Sequence, residues 1–116
     1  MPIVEVTVGS RVDESAVRGL RRVLPDAVSL AVECPEEPYD GDLRPGDVEV
    51  HFRRTKPNDS AGLDVLVEVR STWIASRAEN RQERAERLCA AIAEAMSDLS
   101  VGVFLTLPVA AWSQTD

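Results

Sequence analysis

Four short stretches of this chain alternate apolar and polar residues with a period of two, and that alternation constrains the fold more than any other feature. They are "PIVEVTV" at the start, "VEVHFR" near the middle, "LDVLVEVR" beyond it and "VGVFLTL" near the end. Successive side chains of a strand point to opposite faces, so each stretch sorts into two sets. One set holds Val4, Val6 and Val8; Val48, Val50 and Phe52; Leu63, Val65, Val67 and Val69; Val101, Val103, Leu105 and Leu107. It is uniformly apolar and must be covered. The other holds Ile3, Glu5 and Thr7; Glu49, His51 and Arg53; Leu66, Glu68 and Arg70; Phe104 and Thr106. A sheet with these two faces carries helices on one side only. Its mixed face either packs against other subunits or meets solvent.

Helical periodicity lies between the strands of each pair. A first helix is expected from about Asp13 to Glu33, with Asp13 as N-cap and Glu14 in the first turn. Pro25 removes an amide donor and is expected to kink or interrupt it. A second is expected from about Ala78 to Ser97, beginning at Ser76 or Arg77, with Ala85, Leu88, Ile92, Ala95 and Met96 as its apolar stripe. Its other face, with Glu79, Arg81, Glu83, Arg84, Glu86 and Arg87, reads as a solvated surface with i,i+4 ion pairs. "CPEEPYDGDLRPGD" is a loop, and "RTKPNDSAG" joins two halves of one plan. The order strand–helix–strand occurs twice, with a faint echo of Val4-Glu5-Val6 in Val67-Glu68-Val69. The expected fold is therefore α+β, a two-layer sandwich. Tandem β-α-β units, the first about 2–55 and the second about 63–112, form a four-stranded mixed sheet with two helices on one face. One domain is expected to span residues 1–116.

The formal net charge of −7 excludes a general nucleic-acid surface, which phosphates require to be basic. It still permits a small anionic ligand held by a local arginine cluster. No apolar run approaches a membrane span, and the start lacks the basic and apolar regions of a signal peptide. A cytoplasmic protein without membrane or nucleic-acid partners is expected. Cys34 and Cys89 have no CxxC spacing, Cys89 reads as a buried thiol beside the helical stripe, and a single histidine, His51, speaks against a His-rich metal site. No metal and no cofactor are implied.

The first strand begins at Pro2, the second residue. If Met1 is removed, Pro2 becomes a rigidly held secondary amine, a potential general base; otherwise Pro2 merely starts a strand. Three features bear on this. "MPIVEVTV" runs into "GSRVDES", the β-α-β layout is doubled at this length, and the chain ends in "LTLPVAAW". Together they resemble the tautomerase superfamily, the group of 4-oxalocrotonate tautomerase, 5-carboxymethyl-2-hydroxymuconate isomerase and macrophage migration inhibitory factor, over nearly the whole chain. The resemblance implies a homotrimer whose sheets face inward, with sites between subunits near each N-terminal proline. It also implies a cofactor-independent isomerase of a small enol or α-keto carboxylic acid.

On that resemblance Pro2 is the catalytic residue, while Arg11, Arg70 and Arg77 are candidate binders of substrate carboxylate and enolate charge. Trp112 is a candidate pocket wall, and Trp73 a second. Tyr39, in the acidic loop, is a candidate hydrogen-bond donor or else a packing residue. The chain departs from the family pattern on its second strand, where Glu49 stands near the place of an arginine. That residue suggests an alternative on the same scaffold, a hydratase, dehalogenase or decarboxylase in which protonated Pro2 is the acid and Glu49 activates water. Glu49 could equally face solvent or pair with Arg53. A third reading is a non-catalytic trimeric binding protein.

Overall fold

A computed structural model of the chain describes residues 2–35 and 47–115. The four alternating stretches become β1 (Ile3–Val8), β2 (Glu49–Arg54), β3 (Val65–Arg70) and β4 (Val101–Thr106) of one sheet in the order β2-β1-β3-β4. β1 and β3 are antiparallel at the centre, with β2 parallel to β1 and β4 parallel to β3 at the edges. Parallel neighbours need a crossover, and helices supply both. They cover one face only, as the side-chain parity requires. Val4, Val6, Val8, Val65, Val67 and Val69 of the central strands are 0–2% exposed and meet Leu20, Leu24 and Val28 of the first crossover and Leu88 and Ile92 of the second. Each such side chain contributes about 1.5–3 kcal/mol on burial. The edge-strand residues Val50, Val101, Val103 and Leu105 are only half-buried. Leu63 is 42% exposed instead of covered, because it folds against Gly102 on the open face. Cys34 is buried and Cys89 half-buried, and both are free thiols.

The first crossover is α1 (Glu14–Val32), capped by Asp13, whose Oδ1 accepts the Ala16 N–H at 2.8 Å. Pro25 lies inside α1 without interrupting it. The bond it deletes would have ended on the carbonyl of Arg21, an exposed residue that water can serve. The second crossover is not one helix but two, α2 (Ala75–Glu79) and α3 (Arg81–Ala95), parted at Asn80. Leu88 and Ile92 form the buried stripe of α3, Met96 and Ala85 flank it half-buried, and Ala95 is exposed.

Arg84 departs most from a solvated charged face. It is 8% exposed and donates to the Asn80 Oδ1 at 2.7 Å and to the carbonyls of Ala31 and Glu33 at 2.9 and 2.8 Å. Arg77 is fully buried and donates from Nε to the Val32 carbonyl at 2.7 Å. The reason lies in α1, which has no basic residue in its last turn. The final carbonyls of a helix lack partners and carry the negative end of its dipole, and the two guanidiniums supply both donors and charge. The remaining charged residues of α3 form no ion pair among the described residues; Gln82 and Glu86 share a 3.3 Å hydrogen bond there.

The two units are related by an approximate twofold axis through the Val6–Val67 pair. Val4 faces Val69 and Val50, while Val65 faces Val8 and Val101. Val4 therefore occupies in its half the place of Val65, and Glu14, first in α1, that of Ala75, first in α2. The faint echo read from the sequence is out of step by two residues: Glu5 corresponds to Leu66, not to Glu68. Among the described residues no helix is long and apolar enough to cross a membrane.

Candidate active site

Each central strand has its N-terminal end between the N-terminal end of its parallel edge strand and the C-terminal end of its antiparallel partner, so the sheet has two equivalent ends. At one of them lies Pro2. It is buried, and its carbonyl accepts the Glu49 N–H at 3.1 Å, which fixes the start of β1 against β2. The register sets Ile3 between Glu49 and Arg70, and Arg70 in turn against Thr106. Continuing the antiparallel register outward by one residue brings Ser71 opposite Pro2, and Ser71 is 4% exposed. The wall beyond is closed by two backbone bonds, from Ser71 N–H to the Thr106 carbonyl at 3.1 Å and from Trp73 N–H to the Pro108 carbonyl at 2.9 Å. The structure thus brings Pro2, Glu49 and Arg70 to one end of the sheet, together with Ser71 and Thr106, which sequence reading does not single out. Their only signal is the pairing register, which a single sequence does not contain.

Arg70 is half-exposed and pairs with Glu5 on the open face, Nη2 to Oε1 at 3.3 Å. Glu49, also half-exposed, shares a 3.1 Å contact with the His51 Nε2 and forms no pair with Arg53, which donates instead to Thr7 Oγ1 at 3.1 Å. In the central row Glu5 stands directly opposite Glu68. Like charges so placed oppose each other, and Arg70 offsets one of them.

The other candidates lie apart. Arg77 also donates from Nη1 to the Thr72 carbonyl at 2.9 Å. It therefore ties the end of α1 to the segment that follows Arg70 and Ser71, shaping the wall from inside rather than lining it. Arg11 sits at the opposite end of β1, roughly 20 Å away by strand rise. There it pairs with Asp64 at 3.3 Å and donates to the Asp98 carbonyl at 3.4 Å. Asp64 joins three strand ends. Its Oδ2 accepts the Ser100 N–H at 3.0 Å and the Ser100 hydroxyl at 3.2 Å, and its own carbonyl accepts the Gly9 N–H at 2.8 Å. The Ser100 backbone N–H, helped by Arg11 and the Ser100 hydroxyl, outweighs desolvation and holds the Asp64 carboxyl below its ordinary range. Trp112 is 51% exposed and donates from Nε1 to the Gln114 Oε1 at 2.8 Å. Tyr39 lies outside the described residues. Among those residues no three His, Cys, Asp or Glu side chains gather to hold a metal ion.

No protein-family model matches the chain, and no curated protein matches it by sequence. Solved structures do match in three dimensions. Malonate semialdehyde decarboxylase superposes with a TM-score of 0.66 at 17% identity, over 98% of this chain and 91% of that one. MIF2 of Leishmania major gives 0.59 at 18% identity, over 99% and 96% of the two chains. A fused 4-OT, a symmetric trimer, gives 0.59 at 18% identity, over 91% and 85%. All three are tautomerase superfamily members, and the chain shares their fold.

Proposed function

We propose that this chain is a cofactor-independent isomerase of a small enol or α-keto carboxylic acid, with the Pro2 amine, freed by loss of Met1, as general base. The observation that carries it is Pro2 itself, buried at the head of a central strand with Arg70 on the neighbouring strand one residue further in. Burial disfavours an ammonium, so the free amine is the form that acts near neutral pH. The amine takes a proton α to the carbonyl, and the electron pair moves onto the carbonyl oxygen. The conjugate ammonium then returns the proton elsewhere on the conjugated acid. Arg70 exchanges Glu5 for the substrate and stabilises the carboxylate and the enolate oxygen. Trp73 and Trp112 are the apolar groups near the strand ends that would exclude water.

The fused 4-OT of the same fold is a trimer, and the mixed open face, with Phe104 61% exposed, supports a homotrimer here. Arg11, far from Pro2 in its own chain, would serve a neighbouring subunit's site. A second reading is favoured by Glu49, whose backbone is bonded to Pro2 and whose carboxylate is exposed. In it, protonated Pro2 is the acid and Glu49 activates water for hydration, dehalogenation or decarboxylation of an unsaturated or keto acid. The test is ultraviolet-monitored ketonisation of phenylenolpyruvate and 2-hydroxymuconate by protein whose intact mass lacks Met1. Pro2→Ala is expected to lower kcat/KM by about 10²-fold or more with unchanged circular dichroism. Equal turnover by the variant refutes the base. Loss of activity in Glu49→Gln towards a halogenated or acetylenic acid, without any ketonisation, selects the second reading.

A further inference from the structure

Pro2 and Ser71 stand opposite each other where β1 meets β3, and their backbones are bonded elsewhere. The Pro2 carbonyl turns towards β2, where it accepts the Glu49 N–H, and the Ser71 N–H turns towards β4, where it donates to the Thr106 carbonyl. The two therefore form a non-hydrogen-bonded antiparallel pair, the kind whose Cα atoms lie about 4.5 Å apart and whose side chains come closest. Both share the parity of the buried valines, Pro2 that of Val4 and Ser71 that of Val69. Their side chains thus point to the helix-covered side. The contact is made within one chain, away from the open face where subunits pack.

Ser71 is 4% exposed, and its hydroxyl has no partner among the described residues. Ser10, which the approximate twofold axis sets in the place of Ser71 at the other end of the sheet, is exposed, and water serves its hydroxyl. A hydroxyl with so little access to water is costly unless it is hydrogen-bonded. Loss of Met1 brings a donor to Ser71. The Pro2 nitrogen, until then an amide without a hydrogen, becomes a secondary amine with one hydrogen and one lone pair. These two exchange places by inversion, and only one arrangement presents the lone pair to a substrate.

We infer that the Ser71 hydroxyl oxygen accepts the Pro2 N–H and so holds the lone pair turned outward, which makes Ser71 a positioning residue for the amine. The inference rests on the reading of Pro2 as general base. When the amine takes a proton, the new N–H bond forms on the outward side, and the hydrogen already bonded to Ser71 keeps its place. That hydrogen bond becomes charge-assisted and stronger, so Ser71 favours the ammonium while burial opposes it. The charged groups around Pro2 are Arg70 on β3, with Glu5 of β1 paired to it; Asp47 and Glu49 at the start of β2; and Arg77 of α2, bonded to the Thr72 carbonyl. Removing the hydroxyl alters none of them.

The test is a pH titration of the Pro2 ring signals by nuclear magnetic resonance in ¹³C-proline-labelled protein lacking Met1, beside ketonisation of phenylenolpyruvate. In Ser71→Ala the amine is expected to titrate about one pH unit lower, with kcat about tenfold down and KM unchanged. Ser71→Cys nearly keeps the side chain's shape, offers only a poor acceptor, and is expected to behave the same way, so it carries the test if Ser71→Ala unfolds. An amine titration unchanged in the variants overturns the inference. So does a higher kcat, since the hydroxyl would then be donating to the lone pair and blocking it. Equal turnover by Pro2→Ala sinks the base reading instead, and the Ser71 contact is then judged by the titration alone.

Discussion

Arg70 and Arg77 are seven positions apart in sequence and have opposite duties, and replacing each by methionine separates them. Arg77 is fully buried and supplies donors to the Val32 carbonyl at 2.7 Å and the Thr72 carbonyl at 2.9 Å. Hydrogen bonds from a charged group are worth about 1.5–3 kcal/mol each, and a partly buried cation at a helix C-terminus adds up to about 2 kcal/mol. Methionine keeps the apolar stem and removes the cost of desolvating a guanidinium, which offsets part of that sum. A net loss of about 3 kcal/mol follows, which for a domain of this size lowers the melting midpoint by roughly 10 °C. Arg70, with 52% of its side chain exposed and one 3.3 Å contact to Glu5, holds less than about 1 kcal/mol. Urea unfolding followed by circular dichroism measures both, at one fixed protomer concentration because assembly adds a concentration-dependent contribution. Ketonisation of phenylenolpyruvate, run on folded protein, supplies the second readout. Arg77→Met is expected to lose stability and keep most kcat/KM, and Arg70→Met to do the reverse. An Arg77→Met protein with an unchanged urea midpoint and collapsed turnover would refute this division of labour.

Two further substitutions probe the electrostatics of the sheet. The Asp64 carboxyl is held below its ordinary value in the folded protein, so its contribution is fully present above the unfolded-state pKa and disappears as pH falls through the lowered folded one. Asp64→Asn should flatten that acid limb of a stability–pH curve, and an unaltered limb below pH ~4 would contradict the assignment. Glu68→Gln removes the charge directly opposite Glu5 and is expected to raise the urea-derived stability by a few tenths to about 1 kcal/mol. A decrease would mean that the Glu68 charge is matched in the native assembly.

The strands were legible because a period of two admits few alternatives and their apolar parity is unbroken. The sheet, its two faces and the positions of both crossovers follow from that pattern alone. Helix ends and charged helix faces were harder to read, for a reason visible at Arg84. A guanidinium i,i+4 from other charges looks solvated in a one-dimensional pattern, but the carbonyls that bury it belong to Ala31 and Glu33, on another helix. The split at Asn80 is likewise unmarked by Gly or Pro. In the candidate site, Pro2 and Glu49 were legible from their place on strands. Ser71 and Thr106 were not, since only the antiparallel register between β1 and β3 and its continuation to β4 bring them to Pro2. Arg11 and Arg77 look alike in sequence, each just before or at a helix start, and only the folded chain shows one on Asp64 and the other on the end of α1.

The near-twofold plan explains why the two ends of the sheet diverged. An amine at the head of a central strand requires a free nitrogen, and in two β-α-β units joined by a peptide bond the second unit cannot supply one. Leu63, the residue in the position of Pro2, is acylated by Gly62 and can neither take nor give a proton. That end is therefore released from the demands of proton transfer. Asp64, Ser100 and Arg11 bind the strand ends together there. Arginine appears at both ends but never at equivalent positions, since Gly9 stands where Arg70 does. A duplicated scaffold of this kind keeps its core symmetric, because six valines pack the same way in both halves, while its two rims carry different side chains.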